Sequence, residues 1–478
     1  MNAFMAHARI PGLRALGLTM AALTLAGCAT LQPDAGLSGV QREADARLLA
    51  GEKQALPKQG EDVSTLLAEL LKKQPLSADD AVRIALLNNP ALRMYLSDLG
   101  IADAERVQAG RLRNPGFSYS RTEQGAEIEI ERQFVFGIFD LLTMPARMEI
   151  AEDQLEAARL RTSQMVLGIA LETRKAWVDA LAAEESLRYW RQVNEAAKAS
   201  AELGKRMSAA GNWGVREQAR EQAFYADATA RLALAQQHGV ETRERLIRQL
   251  GLWGAQTAFT LPERLPELPA QARTQLDVEQ QALRERLDVQ QARQQAVALS
   301  KTLDLSEATR FGNVLDVAAL NTSYNENLPT KRGYEIEIVL PIFDLGEARI
   351  ARNEAVYMQA VETLRATAIQ ARSEAREAYL RYRTAYDLAR HYRHEIVPLR
   401  QRIAEENVLR YNDMLIGVFE LLADARVQIQ AVIGAIEAQR VFWQAEADLR
   451  MALGVGSPQS SRMMLAAPAA AEDAAGGH

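Results

Sequence analysis

The 478 residues include a single cysteine, Cys28, so no disulfide can close within the chain. There are five histidines, two of them, His7 and His478, close to the termini. No phosphate-cradling glycine loop, nucleophile elbow or zinc-protease helix motif occurs. A catalytic triad or a histidine-built metal centre therefore has little to draw on, and an enzyme is not expected. Basic residues are not in surplus either. The formal net charge is −6 and no Lys/Arg cluster alternates with aromatics, which excludes a nucleic-acid reader. Past residue 28 no run of eighteen apolar residues is found, so a mature chain would hold no membrane-spanning helix. What is plentiful is apolar residues, 48% of the total, enough for a sizeable core.

The first residues carry a targeting signal. Arg9 and Arg14 precede an apolar run from Ala15 to Leu25, and the small residues Ala26 and Gly27 lead to Cys28. A basic region, a short apolar region and a small-residue cut site describe a secretory signal over residues 1–27. A lone cysteine is commonly a buried or incidental thiol. Here, directly after Leu-Ala-Gly, Cys28 resembles the acylated position of a bacterial lipobox, which implies a lipid-anchored N-terminus. Ala29 rather than Asp follows it, which by that resemblance favours the outer membrane.

Residues 28–75 are mixed in character and read as a lipidated tether and N-terminal segment. "LSADDAV" then opens a helix with Ser77 as N-cap, and Pro90 opens the next. The period changes to two over a hairpin at 115–136, and a helical pattern of some sixty residues follows from about Pro145. At 1.5 Å per residue that is on the order of 90 Å, too long for an ordinary globular domain. "SAAGNWGV" (208–215) breaks it, and a further helix runs to Leu250-Gly251. After a proline-containing linker at 252–273 the order recurs over 274–455, with strands in the hairpin 313–341, a long helix from about Glu347 to Asn412, and a break at "MLIGV" (414–418). Phe139 and Phe343, Gly214 and Gly417, Glu217 and Glu420, and Leu250 and Leu453 are spaced by 203 or 204 residues, which marks a duplicated unit at 76–251 and 274–455. Residues 456–478, rich in Ala, Pro and Gly, read as a disordered tail. Pro398 is expected to kink the second long helix.

In that helix Val361, Leu364, Ala368, Ala371, Ala375, Ala378, Tyr382 and Ala385 alternate steps of three and four, the seam of supercoiling helices. A soluble rod would share this pattern. The hairpins would not suit a rod, since Ile128 and Ile130 alternate with Glu127, Glu129 and Glu131, and Tyr334, Ile336, Ile338 and Leu340 with Glu335 and Glu337. Such alternation fits either a half-buried surface hairpin or a membrane β-barrel with lipid outside and water inside. Four strands cannot close a barrel, and an open edge in lipid leaves backbone groups unpaired, so a barrel would have to be shared between copies. Three copies give twelve strands, and Phe134, Phe136, Phe139 and Phe343 would then form an aromatic girdle at the membrane interface.

The lipobox, the "LSADDAVRIALLNNPALR" opening (76–93), the duplicated strand-to-"FD" corner and "RYNDMLIGVFELLADAR" (410–426) together resemble the TolC family of outer membrane efflux factors, over roughly residues 75–455. The resemblance implies a mainly α fold with a small β part: a homotrimeric α-helical periplasmic barrel joined to a shared 12-stranded transmembrane β-barrel, four strands per chain. It implies a passive exit duct, with no cofactor, partnered by a periplasmic adaptor and an inner-membrane transporter. By the same resemblance the hairpin tips, with Gly211, Trp213 and Gly214 in one and Met414 and Gly417 in the other, meet the adaptor, and an exposed Trp213 suits an interface anchor. Met414 stands where the family has glycine. Glu420 matches the first acid of the family's entrance pattern. Ala423 occupies the second position, with Asp424 one residue on, so Glu420 and Asp424 are the entrance candidates beside the plainer reading of solvated surface acids. His391 and His394 share a helix face, but no further ligand lies nearby in sequence and no metal is expected. A different class stays open: a periplasmic coiled-coil structural or adaptor lipoprotein that forms no pore.

Overall fold

The computed structural model describes residues 30–455 apart from 59, 275, 313 and 326–328. The expected signal segment 1–27, the acylated Cys28 and the tail 456–478 lie outside the described residues. Two short helices, α1 (Leu37–Arg47) and α2 (Ser64–Lys72), come first. The first repeat follows as α3 (Ala78–Asn88), α4 (Pro90–Ala109), β1 (Gly116–Gln124), β2 (Glu127–Gly137), α5 (Ile138–Ala209) and α6 (Val215–Leu250). The second has the same order: α7 (Val278–Glu285), α8 (Leu287–Ala308), β3 (Leu315–Tyr324), β4 (Lys331–Ile338), α9 (Glu347–His391), a π-turn (Tyr392–Ile396), α10 (Val397–Asn412) and α11 (Val418–Arg450). No described helix is long and apolar enough to cross a membrane.

Local chemistry sets the boundaries. Ser77 accepts from the Asp80 backbone N–H at 3.1 Å and its hydroxyl donates to the Asp80 carboxylate at 2.8 Å, so the cap read from the sequence forms. Asn88 and Asn89, just before Pro90, donate to the carbonyls of Leu250, Gly251 and Gln249, which ends α6 against the start of its own repeat. Gly251 caps α6 with φ +66°, and a Cβ there would stand 2.7 Å from the Asn88 carbonyl, so conformation and space both demand glycine.

One sequence expectation is corrected. Residues 30–75 are structured rather than a loose tether. The Gln32 N–H donates to the Asp103 carboxylate at 2.9 Å and Arg106 donates to the Thr30 carbonyl at 3.1 Å, while α1 buries Val40 and Ala44 and α2 buries Leu67 and Leu70. The second long helix is irregular just before Pro398, where the sequence leads one to expect a disturbance. Proline cannot donate and crowds the carbonyl four residues earlier, and the backbone answers by widening into the π-turn at 392–396, where the Val397 N–H reaches the Tyr392 carbonyl.

The chain divides into two compact units. Among the described residues, one comprises 30–36, Asp98–Arg159 and Ala292–Leu364 and holds all four strands; the other comprises Leu37–Ser97, Leu160–Gln291 and 365–455. In the second unit the alanine seam is the core. Ala371, Ala375, Ala378, Tyr382, Ala385 and Ala389 are buried, and they pack with Phe442, Ala445 and Leu449 of α11. The Phe442 ring lies 5.7 Å from both Tyr382 and Tyr386. The linker after α6 is strapped over this core, with Trp443 donating to the Pro266 carbonyl at 3.0 Å and the Tyr386 hydroxyl to Pro269 at 3.1 Å.

Candidate functional site

The strands form one antiparallel sheet in the order β1-β2-β3-β4, so the two repeats meet through β2 and β3. Residues paired across neighbouring strands point to the same face. The register aligns Phe117 with Phe134, Ala319 and Tyr334, and Phe136 with Val317 and Ile336. Beside them Leu315 faces Ile338. The other face carries Glu127, Glu129, Glu131, Asp316, Glu335 and Glu337, with the Gln133 amide donating to Glu335 at 3.0 Å. The alternation read from the sequence is thus a whole face of the sheet.

Nothing among the described residues covers that face. Phe134 and Phe136 are half exposed, Tyr334, Ile336 and Ile338 are exposed, and Phe343 in the β4-to-α9 corner is fully so. Phe139 is half-buried in the first turn of α5. β1 and β4 are both edges, and every residue of each is exposed. An apolar face of this extent, flanked by two open edges, is a surface made to be covered. In this register Ile128 pairs with Glu123 at the hairpin-turn end, far along the sheet from Ile336, which pairs with Val317. Alternation tells the face of a residue but not its height.

The repeated "FD" corners are pinned. Asp140 lies 3.5 Å from Arg113, and the same guanidinium donates to both oxygens of Asp316 at 3.0 and 2.9 Å, which fastens the start of α5 to β3. In the second corner Asp344 accepts from the Gly346 N–H at 2.8 Å.

In the other unit, the tips of the two helix hairpins share one backbone design. Gly211 N–H donates to Ser208 and Asn212 N–H to Met207, each at 3.0 Å. Met414 N–H donates to Tyr411 at 3.0 Å and Leu415 N–H to Arg410 at 2.8 Å, at the matching positions. Met414 therefore occupies Gly211's place in the left-handed region, with φ +60° against +77°, and the tip keeps its shape despite the missing glycine. Gly214 and Gly417 each stand as the N-cap of the next helix. Replacing Met414 by glycine removes the side-chain strain and, net of the entropy glycine loses on folding, should stabilise the tip by about 0.7 kcal/mol. Amide exchange at residues 409–415 is expected to slow about threefold; faster exchange would mean that the methionine side chain holds the tip together.

Trp213 is not the freely exposed anchor expected. It is half-buried, folded back so that a Cβ on Gly204 would meet its ring at 3.0 Å, and its face is committed to α5. The exposed apolar side chains at the tips are Val215, Met414 and Leu415.

Glu420 sits exposed in the first turn of α11, and Glu217 holds the matching place in α6. The Glu217 carboxyl is held below its ordinary range by the hydrogen bond from its own backbone N–H and by Arg216. Asp424 is half-buried and accepts from the Asn407 amide, so the two entrance candidates differ: one is free to face solvent, the other is tied within its hairpin. Sequence reading missed the counterpart of Asp424 in the first repeat, Glu221. It is 2% exposed, accepts from the Ser200 hydroxyl at 2.7 Å and pairs with Arg426 of α11 at 2.8 Å, while the Arg426 guanidinium lies 4.3 Å over the Phe224 ring. The duplication spacing, laid from Asp424 back onto Glu221, was the available signal.

His391 ends α9 and pairs with Glu395 at 3.1 Å, and both His391 and His394 line a cavity of about 700 Å³ beside Glu267 and Arg393. No cluster of three or more His, Cys, Asp or Glu residues among the described residues is placed to hold a metal ion.

A helical hairpin duplication that carries a shared four-stranded sheet is the fold of TolC-type outer membrane channels, the fold expected from the sequence. Solved structures that it matches include the outer-membrane channel OprN, at 17% identity over 86% of this chain and 96% of that one with a TM-score of 0.67. The outer membrane protein VceC from Vibrio cholerae matches at 17% identity over 82% and 97% with a TM-score of 0.65. The open state of the Neisseria gonorrhoeae MtrE outer membrane channel matches at 17% identity over 81% and 88% with a TM-score of 0.64. At such identity it is the fold that is shared. No protein-family model and no curated protein matches the chain.

Proposed function

We propose that the protein is the outer membrane channel of a tripartite efflux pump, a passive exit duct assembled from three copies. The observation that carries this is the sheet: an apolar face exposed to solvent, an acidic face opposite, and two unpaired edges on strands of 8 to 11 residues. Strands of that length span a bilayer when tilted, and in lipid the edges β1 and β4 must pair with something. Pairing β4 of one copy with β1 of the next closes a barrel with the acids inside. Twelve strands leave a water-filled lumen.

In this reading Phe134, Phe136, Phe139 and Phe343 contact lipid at and near the interface, and Cys28 bears the acyl anchor. The tips with Gly211, Trp213, Gly214, Met414 and Gly417 meet a periplasmic adaptor, mainly through Val215, Met414 and Leu415. Energy comes from an inner-membrane transporter, since the chain carries no nucleotide-binding motif. The cargo is a small molecule or metal ion chosen by that transporter. Glu420, not Asp424, is the acid offered to the narrow entrance, and three copies would form a ring that attracts cations. In planar bilayers Glu420→Gln should therefore weaken cation preference while Asp424→Asn changes it much less; unchanged selectivity in Glu420→Gln removes Glu420 from the entrance.

Native mass spectrometry of the detergent-extracted protein tests the assembly. Three chains with measurable conductance in bilayers are expected. A monomer, or an elongated dimer released by mild washing, would instead identify a lipid-tethered rod that forms no pore.

A further inference from the structure

The apolar face of the sheet ends in arginine. Moving along it from the helix end, the rows are Leu315 and Ile338; then Phe136, Val317 and Ile336; then Phe117, Phe134, Ala319 and Tyr334. The next row is Tyr119, Arg132, Asn321 and Arg332, and the one beyond it sets Arg121 opposite Ile130 and Ser323. Three of the four strands thus place a guanidinium on the same face, immediately past the apolar rows and on the side of the hairpin turns. Arg132 and Arg332 are separated by the strand bearing Asn321, about 10 Å at two strand spacings. Arg121 and Arg132 are diagonal neighbours, about 7–8 Å apart.

Among the described residues these charges are not balanced on their own face. Glu123 is the acid there and it pairs with Arg121; Arg132 reaches only the Ser323 hydroxyl, at 3.3 Å. The remaining acids of the sheet, Glu127, Glu129, Glu131, Asp316, Glu335 and Glu337, project from the opposite face. Arginine among acyl chains is costly, whereas its planar fork matches phosphate oxygens two at a time. A row of arginines bordering an apolar band therefore marks the level at which acyl chains give way to charged headgroups.

We propose that Arg121, Arg132 and Arg332, with the Asn321 amide between the latter two, form a cradle for the phosphate groups of an anionic lipid in the leaflet nearest the hairpin turns. It rests on the reading that this face meets lipid. Each copy in the barrel contributes one cradle, and the bound headgroup fixes the height of the barrel in the membrane.

The test uses the full-length protein extracted in detergent, titrated with bis-phosphorylated lipid A or with the same lipid dephosphorylated, and bound lipid is counted by native mass spectrometry. The phosphorylated form should bind about tenfold more tightly, since only it offers charge-assisted pairs. The Arg132→Gln/Arg332→Gln double variant should lose that preference while its binding of the dephosphorylated lipid is unchanged, and the same spectrum reports whether it still assembles. Equal binding of both lipids by the wild-type protein overturns the cradle without any variant, as does a preference that survives in an assembled double variant. Ile336→Trp, read in membranes as the fluorescence quenching by brominated acyl chains gained over the wild-type protein, separates the two levels. Added quenching without a phosphate preference rejects the cradle alone, and no added quenching rejects the lipid-facing reading beneath it.

Discussion

Ile336→Lys is expected to abolish the membrane-inserted assembly, while Glu335→Lys, one residue away on the same strand, leaves it intact. Ile336 is 54% exposed on the apolar face, in register with Val317 and Phe136; Glu335 is in register with Ala318 on the acidic face and accepts from Gln133. A lysine facing acyl chains near the middle of a barrel costs about 2–4 kcal/mol, and three copies multiply that to roughly 6–12 kcal/mol, comparable with the whole stability of a domain. A lysine in the lumen loses one hydrogen bond and remains in water, a change on the order of 1 kcal/mol. The check is the amount of heat-resistant oligomer recovered from the outer membrane fraction. Equal recovery for the two variants would mean that the faces of the sheet are not distinguished by lipid and water.

The second large effect lies at Glu221. Arg426→Ala leaves that carboxylate, 2% exposed, with Ser200 as its remaining partner and uncovers the Phe224 ring. Removing one partner of a buried pair costs about 3 kcal/mol. Because Arg426 belongs to α11 while Glu221 and Ser200 belong to α6 and α5, the cost falls on the joint between the two hairpins. Amide exchange in the N-terminal halves of α6 and α11 should accelerate on the order of 100-fold, with the core around Phe442 unaffected. The double variant Glu221→Leu/Arg426→Leu should exchange much closer to wild type, since no charge is then left buried. If Arg426→Ala exchanges at the wild-type rate, the pair does not hold the hairpins together.

How much of this was legible in the sequence varied with the range of the interaction. The cap at Ser77, the alanine seam and the alternating strands depend on neighbours two to four residues away and are written directly into the chain, and the duplication is legible as a constant offset of 203 or 204 residues. The short helices α1 and α2 were missed because each buries only two side chains, too few to set a period. Pro398 signalled a disturbance, but the form it takes, a π-turn at 392–396, is not written in the residue itself. Trp213 was misplaced because its partner, Gly204, is identifiable only once the tip has turned. Met414 was marked as a departure from glycine, yet the backbone bonds of the turn impose φ +60° on it all the same. The Glu221–Arg426 pair joins residues 205 apart, and nothing local to either announces it. The arginine row had the same obscurity: Arg121, Arg132 and Arg332 become neighbours only through strand register.

The central claim is that a sheet with two open edges is completed in the membrane by copies of itself. Hydrogen exchange of the lipid-reconstituted protein, read at the backbone amides of 116–124 and 331–338, addresses it most directly. In a closed, shared barrel the edge amides of β1 and β4 gain partners and should exchange as slowly as those of β2 and β3. Edge amides that exchange many times faster than the two inner strands would mean that the edges stay open, and a barrel built from several chains would be ruled out.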